Sequence, residues 1–219
     1  FGRWTDKSAS AGQEIGNAKD VPGRIILIDH PGAASSTVVA GHSIDPFDPL
    51  AWSALSIMNR VIGGSFESRL NMNLREDKGW SYGYRSDISR NASGDMTFRT
   101  SGQVQTDKTA ATMLEIKREV EEYVSTRPAT DEELARIKLN RVRSLPGSFA
   151  TNGGFLGSII GSDSYGLPFD YAQSSAERIE GVTLEDVHVA ANEVVDFSQF
   201  TWLIVGDLEL IEDQVRALE

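Results

Sequence analysis

Apolar residues recur along this chain with two different spacings, and the switches between them mark out its elements. In VPGRIILIDHPG a short apolar run, Ile25 to Ile28, is closed by Pro31 and Gly32; in STVVAGHSI the positions Val38, Ala40, His42 and Ile44 alternate. Both stretches predict strands. Pro46 and Pro49 enforce a loop, after which Leu50, Trp52, Leu55, Met58 and Ile62 recur near helical spacing. Gly63 and Gly64 end that helix, Ser65 is placed to cap a second, and Phe66, Leu70 and Leu74 mark its buried side. Gly79 stands where a left-handed residue closes a helix, with Lys78 beside the negative end of the dipole. From there the period drops to two. Trp80, Tyr82, Tyr84, Ser86 and Ile88 predict one strand face, and Ser81, Gly83, Arg85 and Asp87 the other.

RNASGD reads as a hairpin-like turn, and Met96, Phe98 and Thr100 resume an alternation able to pair antiparallel with the strand before it. Asp107 opens a long helix carrying Ala110, Met113, Leu114, Lys117, Val120 and Val124, which Pro128 prevents from running on. Thr130 and Glu133 form a capping-box pair for a helix that starts near Asp131 and continues through Leu134, Ile137 and Val142 toward Pro146. A further helix is predicted from Phe149 to Ile160, with a break at GSDSYGLP, and Thr183 caps a short one with Val187 and Ala190. QFTWLIVGD is a strong strand signal and LELIEDQVRAL a closing helix. Four clear strands among five or more helices predict an α+β fold in two layers, a mostly antiparallel sheet packed against helices. Residues 1–20, polar and small from 5 onward, read as an incoming linker or N-terminal arm, and 21–219 as a single domain.

Composition narrows the function classes. At 219 residues, with 40% apolar and 24% charged positions, the chain can bury a real core without a metal or disulfide staple. A net charge of -11 with no Lys/Arg cluster disfavours nucleic acid as a partner. The absence of cysteine excludes disulfides and thiolate metal sites. No stretch approaches the ~18 continuous apolar residues of a membrane span, and residues 1–20 lack a signal-peptide centre. Phe1 is not a translated start, so a fragment or processed product is expected. Bacterial cytoplasm and periplasm both suit such a chain.

The residues alone offer no complete active site. His30, His42 and His188 lie in neither HxxEH nor its inversion, and no two share a helical face. A set of His30, His42 and a carboxylate across paired strands is geometrically allowed, against the plainer reading of loop and strand-end histidines. There is no GxSxG elbow and no thiol. The glycines of VIGGS lack the Lys-Ser/Thr ending of a phosphate loop and read as a helix stop.

Longer stretches are more specific. IGGSFESRLNMNLREDKGWSYGY, residues 62–84, resembles the segment of insulinase/pitrilysin-type zinc peptidases, the group of mitochondrial processing peptidase, that runs from a glycine-rich turn through Ser-Arg-Leu and Leu-Arg-Glu to an aromatic strand. FGRW at 1–4, LPGSFATN at 145–152, YGLPFDYAQ at 165–173, VTLEDV at 182–187 and LIVGD at 203–207 resemble further landmarks of that family in order. The resemblance implies a clamshell of homologous α+β domains, in one chain or two subunits. One homologue carries the HxxEH zinc site, and the other, commonly without zinc, presents an Arg-Tyr pair to the substrate. This chain matches the facing, zinc-free one.

By that resemblance Arg75 and Tyr82 are the pair, with no cofactor in this chain and zinc in the partner. The implied partners are an upstream HxxEH-containing domain or a separate catalytic subunit, and a peptide or unfolded protein substrate. A reversal at Gly79 would bring both tips to one surface, where they bind substrate and stabilise the tetrahedral intermediate of peptide hydrolysis. Tyr82 is favoured as the closer donor, with Arg75 orienting it or gripping the substrate backbone. The chain alone is expected to be inactive. The alternative is a non-catalytic structural or peptide-binding homologue, like the family's respiratory-complex core proteins. Arg69 is expected in a structural or interdomain ion pair, and Arg85 on the strand face opposite Tyr82.

Overall fold

The period-two segments assemble into a single sheet, described here from a computed structural model that covers residues 22–46, 48–90 and 95–218. The expected arm at 1–20 and most of the RNASGD turn lie outside those residues. Strands β1 (Arg24–Asp29), β2 (Ser35–Ile44), β3 (Ser81–Arg90), β4 (Met96–Gln105) and β5 (Thr201–Gly206) lie in the order β1-β5-β2-β4-β3. Only β1 and β5 run parallel; every other neighbour is antiparallel. Eight α-helices accompany them among the described residues: α1 (Trp52–Ile62), α2 (Arg69–Asn71), α3 (Thr109–Tyr123), α4 (Asp131–Ser148), α5 (Asn152–Ser164), α6 (Ser175–Gly181), α7 (Leu184–Val194) and α8 (Leu208–Arg216). The fold is the expected α+β sandwich of sheet and helices, and each of its five strands falls on a segment whose pattern predicted one.

Alternation explains where the core sits. Val38, Ala40, Phe98, Trp202 and Ile204 point from the sheet into a layer filled from the helices by Met58, Ile62, Ile116, Val120 and Val215. Both predicted helix starts with threonine caps are present: Thr130 and Glu133 exchange side-chain and backbone bonds at α4, and Thr183 does the same with Asp186 at α7. Gly79 has φ +64°, the left-handed closure its position demanded.

Several phases differ from the sequence pattern. Leu50 precedes α1 and is almost fully exposed, because its amide is tied to the Asp48 carboxylate in a turn. On α3 the buried stripe is Thr112, Met113, Ile116, Val120 and Tyr123, so Leu114 and Lys117 fall outside it. The helix predicted from Phe149 starts instead at Asn152, where Thr151 accepts a bond from the Gly154 amide. Ser65 does not cap the second helix. Its hydroxyl donates to the Arg60 carbonyl at the end of α1, and the next helix begins only at Arg69. Phe66 is therefore outside that helix and half-exposed, while Leu70 and Leu74 are buried. Gly63 is required by close approach rather than by φ: a Cβ there would lie 2.4 Å from the Ser86 hydroxyl of β3.

Candidate functional site

The segment from Ser65 to Arg85 builds the site, and two irregularities shape it. After one α-helical turn, α2 widens into a π-helical stretch, Met72–Asp77, in which the Lys78 amide reaches five residues back to Asn73. Gly79 then reverses the chain, and the Trp80 amide closes onto the Leu74 carbonyl. The second irregularity lies in β3. Ser81 pairs with Val104 but Tyr84 pairs with Gly102, so two residues, Tyr82 and Gly83, stand against the single Gln103. This bulge shifts the alternation by one. Tyr82 is fully exposed (101%), whereas Tyr84 is sealed in the core (0%), where burial pushes its hydroxyl pKa up and the Val38 carbonyl and Thr100 bond it.

The expected face of Trp80, Tyr82, Tyr84 and Ser86 is thus split. The bulge also overturns the placement of Arg85: the ladder register puts it on the side that Tyr82 shows, away from buried Tyr84 and Ser86. An isolated glycine inside a strand pattern is a bulge signal, and Gly83 carried it in the sequence.

Arg75 lies near the end of the π-helical stretch, partly exposed, with its Nε 3.1 Å from the Glu76 carboxylate. Its guanidinium stacks over the Phe66 ring at 4.7 Å, and the Arg85 guanidinium lies 5.6 Å from the same ring. Arg85 also donates to the Ser65 carbonyl at 2.7 Å. Burial, and then the charge of Arg75, depress its pKa. Cation–ring contacts hold the planar forks in a narrow range of directions. Among the described residues no hydrogen bond joins Arg75 to Tyr82. Phe66 and Arg85 are components that no sequence pattern pointed to.

The π-helical stretch is anchored from below by α3. Asn73, buried, donates to Glu115 at 2.8 Å and to Glu119 at 3.0 Å, and Lys78 pairs with Glu115 at 3.3 Å. Burial alone would raise the Glu115 pKa, but bonds from Asn73, Arg118 and Lys78 more than offset it and hold the carboxyl at about 2. A depressed folded-state pKa contributes stability that is complete above the unfolded value, near ~4.5, and is lost as pH falls through the folded one. Glu115→Gln should therefore cost about 1–2 kcal/mol at pH 7 after allowance for solvent screening, and should flatten the stability profile between roughly pH 4.5 and 2. Urea melts across that range would show it; parallel profiles for the two proteins would remove Glu115 as an anchor.

Arg69 makes its ion pair within the chain, a two-pronged contact with Glu133 at 2.9 and 2.7 Å. The histidines do not assemble. His42 Nδ1 bonds the Ser43 carbonyl, His188 Nε2 the Ala129 carbonyl, and His30 lies beyond the end of β1. Among the described residues no three His, Asp or Glu side chains group as metal ligands.

The family described as the peptidase M16 inactive domain matches residues 1–141, more than half of the chain and all of this site. The chain belongs to the M16 peptidase family. Among solved structures, the M16 inactive domain from Pseudomonas fluorescens is similar at 25% identity and a TM-score of 0.78, over 90% of this chain and 46% of that one. A protease from Helicobacter pylori shares the fold at 18% identity and a TM-score of 0.78, covering 92% and 48%. The periplasmic protease PqqL from Escherichia coli does so at 16% and 0.74, covering 90% and 22%. This M16 domain spans about half the length of the first two. No curated protein matches it. No helix among the described residues is long and apolar enough to cross a membrane.

Proposed function

We propose that this M16 domain is the zinc-free half of a metalloendopeptidase, closing a peptide cavity opposite an HxxEH-bearing domain or subunit that holds the zinc. Its site chemistry is carried by Tyr82 and Arg75. A neutral phenol donates a hydrogen bond to the carbonyl oxygen that gains negative charge, while the guanidinium adds fixed positive charge or grips the neighbouring backbone. The supporting observation is the exposure of Tyr82. The bulge turns a strand tyrosine wholly outward between a glycine reversal and a buried tyrosine, and a phenol so placed is free to meet a ligand.

Residues 1–219 alone are expected to hydrolyse no unstructured peptide and to retain no stoichiometric zinc, with cleavage appearing when the HxxEH half encoded with them is added. Cleavage by the purified chain alone, surviving a chelator, would sink the assignment. The description of the matched family as an inactive domain also suits a peptide-holding homologue without catalysis. That reading prevails if the accompanying half lacks HxxEH.

A further inference from the structure

The two arms of the site, a helical stretch bearing Arg75 and a strand bearing Tyr82, are separated by a reversal that the Trp80 amide closes onto the Leu74 carbonyl, and no side-chain bond joins Arg75 to Tyr82. Arg85 reaches from the strand to Ser65 and the Phe66 ring at the surface, and one buried side chain ties the same parts from beneath. Asn71, on α2, is completely buried. Its Oδ1 accepts from the Tyr84 amide at 3.2 Å, just past the bulge, and its Nδ2 donates to the Phe66 carbonyl at 2.7 Å. Phe66 carries the ring on which Arg75 and Arg85 stack. The amide cannot be turned over, since that would set donor against donor and acceptor against acceptor. Any displacement of Asn71 therefore moves the strand arm and the stacking platform relative to each other, and leaves a buried amide or carbonyl unsatisfied.

We propose that Asn71 is the positioning residue of this site: its carboxamide fixes the outward set of Tyr82 against the Phe66 platform of Arg75. It touches no substrate and acts through both arms, and its effect on catalysis rests on the function proposed above.

The geometric claim is tested on the chain itself by amide hydrogen exchange. In Asn71→Ala the Tyr84 amide should exchange at least about tenfold faster while core amides such as Phe98 keep their protection. In the assembled peptidase, with a quenched fluorescent peptide as probe, the same variant should lower kcat roughly 10- to 100-fold with KM little changed. Adding Tyr82→Phe should then cost nothing more, because both changes disable one device.

Asn71→Asp keeps shape and the acceptor for Tyr84 and, assayed at a pH where its carboxyl is ionised, loses the donor to Phe66, so it serves if the alanine variant folds poorly. It should leave the Tyr84 amide protected and lower kcat, with the loss absorbed by Arg75→Ala and not by Tyr82→Phe. Unchanged exchange at Tyr84 in Asn71→Ala, or losses that multiply in full with Tyr82→Phe, would overturn the positioning role. Silent Tyr82→Phe and Arg75→Ala variants beside fast exchange would instead end the substrate role proposed for the pair and support the positioning role as a property of the fold.

Discussion

Tyr82→Phe in the assembled peptidase is expected to lower turnover about 10²- to 10³-fold while zinc content stays at the wild-type level. The size follows from removing one directed donor from a developing oxyanion, about 3–4 kcal/mol of transition-state stabilisation. The test is clean because Tyr82 is fully exposed and its hydroxyl bonds no described residue, so the substitution should shift stability by less than about 0.5 kcal/mol. Lost activity then cannot be ascribed to lost fold. If the phenol instead holds a neighbouring backbone carbonyl in the ground state, KM rises and kcat is spared. Unchanged kcat and KM in both Tyr82→Phe and Arg75→Ala would end the role assigned to the pair.

Glu133→Ala should be the most damaging single change to the fold around the site, lowering stability by about 3 kcal/mol and Tm by about 10 °C. The Arg69 side chain is only 11% exposed and that of Glu133 20%, so deleting the carboxylate strands a largely buried cation. Bonds from Arg69 to the Arg127 and Pro128 carbonyls remain but do not neutralise it. The same carboxylate accepts from the Thr130 amide at 2.9 Å, so the α4 cap is lost as well, at about 1 kcal/mol. Burial works against ionisation of Glu133, but bonds from Arg69 and Thr130, with the Arg69 charge, prevail and depress its pKa. The stabilisation is thus full above the unfolded carboxylate value and fades as pH falls below it. Calorimetry at pH 7 and pH 3 should show a wide gap between wild type and variant at the first and a narrow one at the second. Equal gaps would mean that packing, not the charge pair, fastens α2 to α4.

What the sequence made legible divides along the range of the forces involved. The Thr130–Glu133 and Thr183 caps and the left-handed Gly79 depend on residues within one turn of each other, and each is present as predicted. Features set by a distant partner were not legible. Tyr82 leaves the buried face because β3 carries one residue more than β4 across that interval; Gly83 marks that a bulge can form there, but the register that sets Tyr82 outward depends on β4. Phe66 looked like a helix residue because its spacing to Leu70 and Leu74 is helical, but Ser65 is spent on the end of α1 and the next helix starts three residues late. The π-helical widening and the Asn71 bridge require the folded contacts to exist before they have meaning. Arg75 and Tyr82 themselves were picked out by resemblance to the peptidase family and not by any property of their own spacing.

The place of β5 bears on how this molecule is made. The last of the five strands lies between β1 and β2, and among the described residues it alone joins β1 to the other strands. A nascent chain that has already produced Ile44 must hold a vacant slot until Thr201–Gly206 emerges from the ribosome, so closure of the sheet waits for its fifth strand. Such long-range pairing makes for slow folding, and a transcript cut short before Thr201 would leave β1 with no neighbour to hold it.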